Sequence, residues 1–196
     1  MSAEVKKKRP RKRRWRRYYE DGEIPRSTYV LPNLLTTANL FSGYYGIVSA
    51  INGHFERAAI AVLVSCVFDI LDGKVARLTR ATSRFGIEYD SLADLVAFGV
   101  GPGLLMYLWA LKPFGRIGWL ASFVFVACGA LRLARFNVQV EVVDKKHFVG
   151  LPIPGAALMV ATTALFLTTG KPPAPTSAGL PLLLATYILG FLMISS

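Results

Sequence analysis

Apolar residues fall into six runs of about 20 residues, the length that crosses a bilayer core as a helix. They lie near 33–52, 56–80, 87–111, 117–138, 151–169 and 178–196. The joints between them carry breakers or charge: Asn52-Gly53-His54, Lys112-Pro113, Asp144-Lys145-Lys146 and Gly170-Lys171-Pro172-Pro173. No internal repeat is visible. The pattern predicts an all-α, polytopic membrane protein with six transmembrane helices over residues 31–196, preceded by a separate segment, 1–30.

Composition agrees with this picture. Of 196 residues, 53% are apolar, and mean hydropathy is +0.42, greasier than a soluble domain of this length. Residues 1–30 hold eleven Lys and Arg against four Asp and Glu, so most of the +11 net charge sits there. Trp15, Tyr18 and Tyr19 are spaced to form one stripe of a helix amid arginines, which suits a segment lying on an anionic membrane surface. A solvated basic tail is the plainer alternative, and a nucleic-acid arm is set aside because the next element is already a spanning helix. Positive charge gathers in the basic segment, in the Arg77, Arg80, Arg84 joint and in the Arg132, Arg135, Lys145, Lys146 joint. The opposite joints hold only Arg57, Lys112, Arg116 and Lys171. That asymmetry predicts both termini on the cytoplasmic side. No cleavable signal peptide is read, and Cys66 and Cys128, inside apolar runs, are expected to be small core residues without a disulfide.

The chemistry concentrates in residues 68–94, FDILDGKVARLTRATSRFGIEYDSLAD. Asp69 and Asp72 are three apart and share a face at the cytoplasmic end of the second span. Asp90 and Asp94 are four apart and share a face at the start of the third. A joint around 81–85 folding these helices antiparallel would cluster four carboxylates. Each costs about 2.5–3.5 kcal/mol at a helix centre, so a cation must compensate. All-oxygen ligands suit Mg²⁺ or Mn²⁺, and four carboxylates have room for two such ions, an arrangement used for displacement at phosphorus. Gly73, Ala76 and Gly86 allow close approach of a helix or a ligand, and Arg77 can neutralise a phosphate. Taken singly, the small residues are explained by helix packing, and the acids by ion pairs with Arg77, Arg80 and Arg84.

The string Asp69-x2-Asp72-Gly73-x2-Ala76-Arg77-x8-Gly86-x3-Asp90-x3-Asp94 resembles the signature of the CDP-alcohol phosphotransferase family at all eight fixed positions. The resemblance implies a six-helix fold and transfer of a phosphatidyl group from a CDP-linked lipid to an alcohol, with CMP released. It also implies that Asp69, Asp72, Asp90 and Asp94 hold metal, with Asp94 also the general base. Gly73, Ala76, Arg77 and Gly86 would line the CDP-lipid site, where Asn39 is placed as well, and the protein would be a homodimer.

Three further stretches resemble the phosphatidylserine synthases of bacteria and archaea: LPNLLTTANLFSG (31–43), DSLADLVAFGVGP (90–102), and ALRLARFNV with FVGLPIPG (130–138 and 148–155). They imply L-serine as the acceptor. Arg132 and Arg135 share a helical face and can grip a carboxylate, with Asn137 beside them; their alternative is membrane-edge anchoring. Thr36, Thr37 and Asn39 on the first span, and Pro152 and Pro154 before the fifth, are candidates for shaping the same pocket, or serve helix packing and helix entry. Competing readings are a sibling enzyme using glycerol 3-phosphate or an inositol phosphate, a cation channel or transporter with intramembrane acids, and a silent scaffold. The clustering of the acids at one end disfavours the channel.

Overall fold

The computed structural model describes residues 30–79, 83–142, 150–168 and 179–195. The basic segment with Trp15, Tyr18 and Tyr19, and the joints holding Arg80, Asp144, Lys145, Lys146 and Lys171, lie outside the described residues. What is described is all-α, with a helical segment at each apolar run. Helix α1 is Val30–Ile51 and α2 is Phe55–Leu78. Helix α3 covers 84–111, as an α-helical start (Arg84–Asp94), a π turn (Leu95–Val100), an α stretch (Gly101–Met106) and a second π turn (Tyr107–Leu111). Helices α4, α5 and α6 are Gly115–Val142, Ile153–Thr168 and Gly179–Ile194.

Ser83 starts α3: its Oγ accepts from the Gly86 backbone N–H at 2.9 Å, filling one of the orphan donors of the first turn. The π turn follows from Pro102. Proline cannot donate to the carbonyl four residues back, and the ladder shifts so that Gly101 N–H bonds Val96 O instead.

The helical run Arg84–Val138 is long and apolar enough to cross a membrane, and α5 and α6 are shorter apolar helices. That run is not one rod. The turn Lys112–Phe114 ends at Gly115, whose φ of +56° lies where side chains are strained, and the chain reverses there. Ser122 Oγ then donates to Gly103 O at 2.7 Å, and Asn137 reaches Ser91, which makes α3 and α4 antiparallel partners.

Helix α1 lies along α2, tied by Ser42 Oγ to Ala61 O at 2.9 Å and by Ser65 Oγ to Asn39 O at 3.2 Å. Helix α5 covers another face of α2, α6 packs on α4, and the first π turn of α3 touches α1, α4 and α5. The buried stripe of α1 is Pro32, Thr36, Asn39, Ser42, Gly43, Gly46, Ser49 and Ala50, all small or polar. Its large apolar side chains, among them Leu34, Phe41, Tyr44 and Ile51, face outward. Small residues let helix backbones approach, and an exterior this apolar suits lipid rather than water. Gly43 shows how close the approach is: a Cβ there would lie 2.6 Å from Ala97 Cα.

Candidate functional site

Four helix-borne carboxylates meet at the end of the bundle where α2 finishes and α3 begins. Asp69, Asp72 and Asp90 each present an oxygen within 4.8 Å of the others. Two come from α2 and one from α3, so the cluster exists only because these helices pair. Asp94 is not part of that group of three; it lies one turn further along α3, next to Asp69, and is 8% exposed.

Helix α1 fixes one acid from each pair. Thr36 Oγ1 donates to Asp72 Oδ2 at 3.0 Å, with Pro32 O a second acceptor at 3.2 Å. One turn on, the fully buried Asn39 donates through Nδ2 to Asp94 Oδ1 at 3.0 Å. Thr36 and Asn39 are three apart, so one face of α1 holds both contacts. At the rim, Thr37 and Tyr89 hydroxyls lie 2.9 Å apart, joining α1 to α3.

Beside the carboxylates is a cavity of about 200 Å³. Six residues of the signature line it: Asp72, Gly73, Ala76, Arg77, Gly86 and Asp90. Pro32, Asn33, Thr36, Ser83 and Ile87 complete its wall. Apart from its own helix backbone, a Cβ on Gly73 would meet only the Arg77 guanidinium within 4 Å among the described residues, so glycine there keeps the wall open.

The donor set fits a hard divalent cation. It is all oxygen, and Asp90 Oδ1 is buried with no hydrogen-bond partner among the described residues. A buried carboxylate oxygen without a donor is costly unless something positive faces it. Asp69, Asp72 and Asp90 could therefore bind a metal ion.

The residues expected to hold serine, Arg132, Arg135 and Asn137, lie on α4. Asn137 Nδ2 donates to Ser91 Oγ at 3.0 Å and reaches Glu88 Oε2 at 3.5 Å, clamping α4 to the outer start of α3. Arg135 is exposed, and Arg132 is half-buried with its Nε lacking a partner among the described residues. None of the three lines the cavity, and neither does Asn39, whose amide is engaged by Asp94. Pro152 and Pro154 lie at the start of α5 and do not line it either. Pro32, Asn33, Ser83 and Tyr89 were not singled out as site residues from the sequence. Ser83 carried a usable signal, a serine three before the Gly of the signature. The others depend on how α1 is rotated against its neighbours.

A family model described as CDP-alcohol phosphatidyltransferase matches residues 29–193. The chain is 49% identical over 137 residues to a Helicobacter pylori protein named CDP-diacylglycerol–serine O-phosphatidyltransferase, covering 70% of this chain and 58% of that one. It is 42% identical over 146 residues to an archaetidylserine synthase of Methanothermobacter thermautotrophicus, covering 74% and 60%. A Saccharomyces cerevisiae protein, also named CDP-diacylglycerol–serine O-phosphatidyltransferase, is 38% identical over 160 residues, covering 71% and 55%. The chain thus spans somewhat under two thirds of the length of these relatives.

Proposed function

The chain belongs to the CDP-alcohol phosphatidyltransferase family, and on that premise we propose that it transfers a phosphatidyl group from CDP-diacylglycerol to the hydroxyl of L-serine, releasing CMP. The observation that carries this reading is the convergence of Asp69, Asp72 and Asp90 from two helices beside a cavity walled by Gly73, Ala76, Arg77 and Gly86. The names of the relatives support serine as the acceptor.

Asp69, Asp72 and Asp90, with Asp94 beside them, are the residues that would hold Mg²⁺ or Mn²⁺, two ions in all. Bound there, the ions would supply Lewis-acid neutralisation of the pyrophosphate. Arg77 faces the same phosphates, and the small wall residues admit the nucleotide against backbone. Asp94 accepts the proton of the serine hydroxyl. The serine oxygen forms the new bond at the phosphorus bearing diacylglycerol, the bond from that phosphorus to the bridging oxygen breaks, and CMP leaves with that oxygen. Arg132 and Arg135, with Asn137 steadying α4, are assigned to the serine carboxylate.

All six helices are assigned to the membrane, with residues 31–196 the catalytic domain and 1–30 a basic segment on the cytoplasmic surface. Both termini and the active site face the cytoplasm, and the protein is a homodimer. The outward-facing large apolar residues of α1 support the membrane placement, and the positive charge of the joints supports the orientation.

The test is CMP release by purified protein in liposomes containing CDP-diacylglycerol, with Mg²⁺ or Mn²⁺ and a panel of serine, glycerol 3-phosphate and inositol phosphate. Release with serine alone, abolished by EDTA and by Asp94→Asn, is expected. Preference for another acceptor would move the chain to a sibling activity. Near-normal turnover by Asp94→Asn would remove that residue from the role of base.

A further inference from the structure

Asn39 occupies a position that packing alone does not explain. It is fully buried, and its Oδ1 has no donor among the described residues. An unsatisfied buried acceptor costs about 1–3 kcal/mol, a cost that an apolar side chain of the same size would avoid. The other end of the amide accounts for its presence: Nδ2 donates to Asp94 Oδ1 at 3.0 Å. A flipped amide would set its oxygen against the carboxylate, so the orientation is determined by Asp94.

Asn39 is itself held by two neighbours. Its backbone carbonyl accepts from Ser65 of α2, and Gly43, one turn along α1, lies so close to Ala97 in the π turn of α3 that an added Cβ would be 2.6 Å from Ala97 Cα. A carboxylate pivots broadly about its last torsion, and this donor, anchored to two helices, removes that freedom. Asp69 of α2 is the other side-chain partner of Asp94.

We propose that Asn39 is a positioning residue for Asp94, fixing the orientation in which its carboxylate takes the proton of the acceptor alcohol. The inference rests on the reading of Asp94 as general base. Asn39 acts through Asp94 and touches neither substrate.

The discriminating variant is Asn39→Leu, similar in size and without a donor, assayed in liposomes with CDP-diacylglycerol, serine and saturating Mg²⁺ or Mn²⁺. A base displaced by about 1 Å can lose some 100-fold in rate. The expected result is a kcat lower by about 100-fold, KM for both substrates within about 2-fold, and a Tm equal to or above that of the parent. Asn39→Gln, which keeps the amide on a longer stem, recovers part of kcat. In the double variant with Asp94→Asn, turnover is no lower than with Asp94→Asn alone. A raised KM for the CDP-lipid with kcat preserved would make Asn39 a substrate contact and overturn the proposal. Additive losses in the double variant, or kcat losses that follow Tm across Leu and Gln, would overturn it as well. Full kcat in Asn39→Leu with an inactive Asp94→Asn sinks the positioning role alone, whereas an active Asp94→Asn sinks the base and its positioner together.

Discussion

Thr36 Oγ1 and Asp72 Oδ2 lie 3.0 Å apart across the α1–α2 interface, a hydrogen bond from a buried hydroxyl to a buried carboxylate. It orients one member of the carboxylate trio from outside the trio. Where a carboxylate holds a metal, the role proposed for Asp72, removing such an outer partner typically costs about 10–100-fold in metal affinity or activity. Thr36→Val keeps the shape and deletes the donor. Titration of activity with Mg²⁺ or Mn²⁺ should shift to higher metal by about that factor, and Thr36→Ser should restore the parent curve. An unchanged metal titration would leave the bond with no role at the site.

Gly43 sets the distance between α1 and α3. An added Cβ would meet Ala97 at 2.6 Å from Cα and 2.7 Å from Cβ, contacts that backbone must move to relieve. Overpacking of this kind costs about 1–3 kcal/mol. Gly43→Ala should lower Tm in detergent and reduce kcat, because separating the helices also draws Asn39 from Asp94. Gly46→Ala, whose Cβ would sit 3.3 Å from the Ala61 side chain, should do less on both measurements. Equal effects of the two changes would remove Gly43 from its special place.

Arg132 and Arg135 share a face of α4 but not an environment. Arg132 is half-buried with an unpartnered Nε, whereas Arg135 is exposed. A charged hydrogen bond to a carboxylate contributes about 1.5–3 kcal/mol, or roughly 10-fold or more in affinity. Arg132→Ala should raise KM for serine by about 10-fold or more while KM for CDP-diacylglycerol stays put, and Arg135→Ala should have the smaller effect. If both changes alter only CDP-lipid kinetics, the carboxylate grip lies elsewhere.

The chain's local order was legible before any coordinates. Apolar runs placed the helices within a few residues of where they occur, because a long apolar run bounded by breakers is most readily closed as a helix, whose backbone groups pair within the segment. The 3- and 4-residue spacings placed Asp69 with Asp72 and Asp90 with Asp94, because helical periodicity dictates which residues share a face. The family signature then linked the two pairs, and six of its eight residues line one cavity.

What periodicity cannot carry is the rotation and depth of one helix against another. Nothing in the spacing tells that Thr36 reaches Asp72 while Asn39, three residues on, reaches Asp94. Nor does it tell that Asn137 turns to Ser91 and Glu88. Those relationships are set by which small residues let backbones touch, Gly43 against Ala97 above all, and such contacts exist only once the helices have packed. Sequence alone determined the helices, the paired acids and the kind of chemistry they favour; tertiary packing decided which neighbour holds each acid, because a hydrogen bond between helices depends on their mutual register and not on either helix's own repeat.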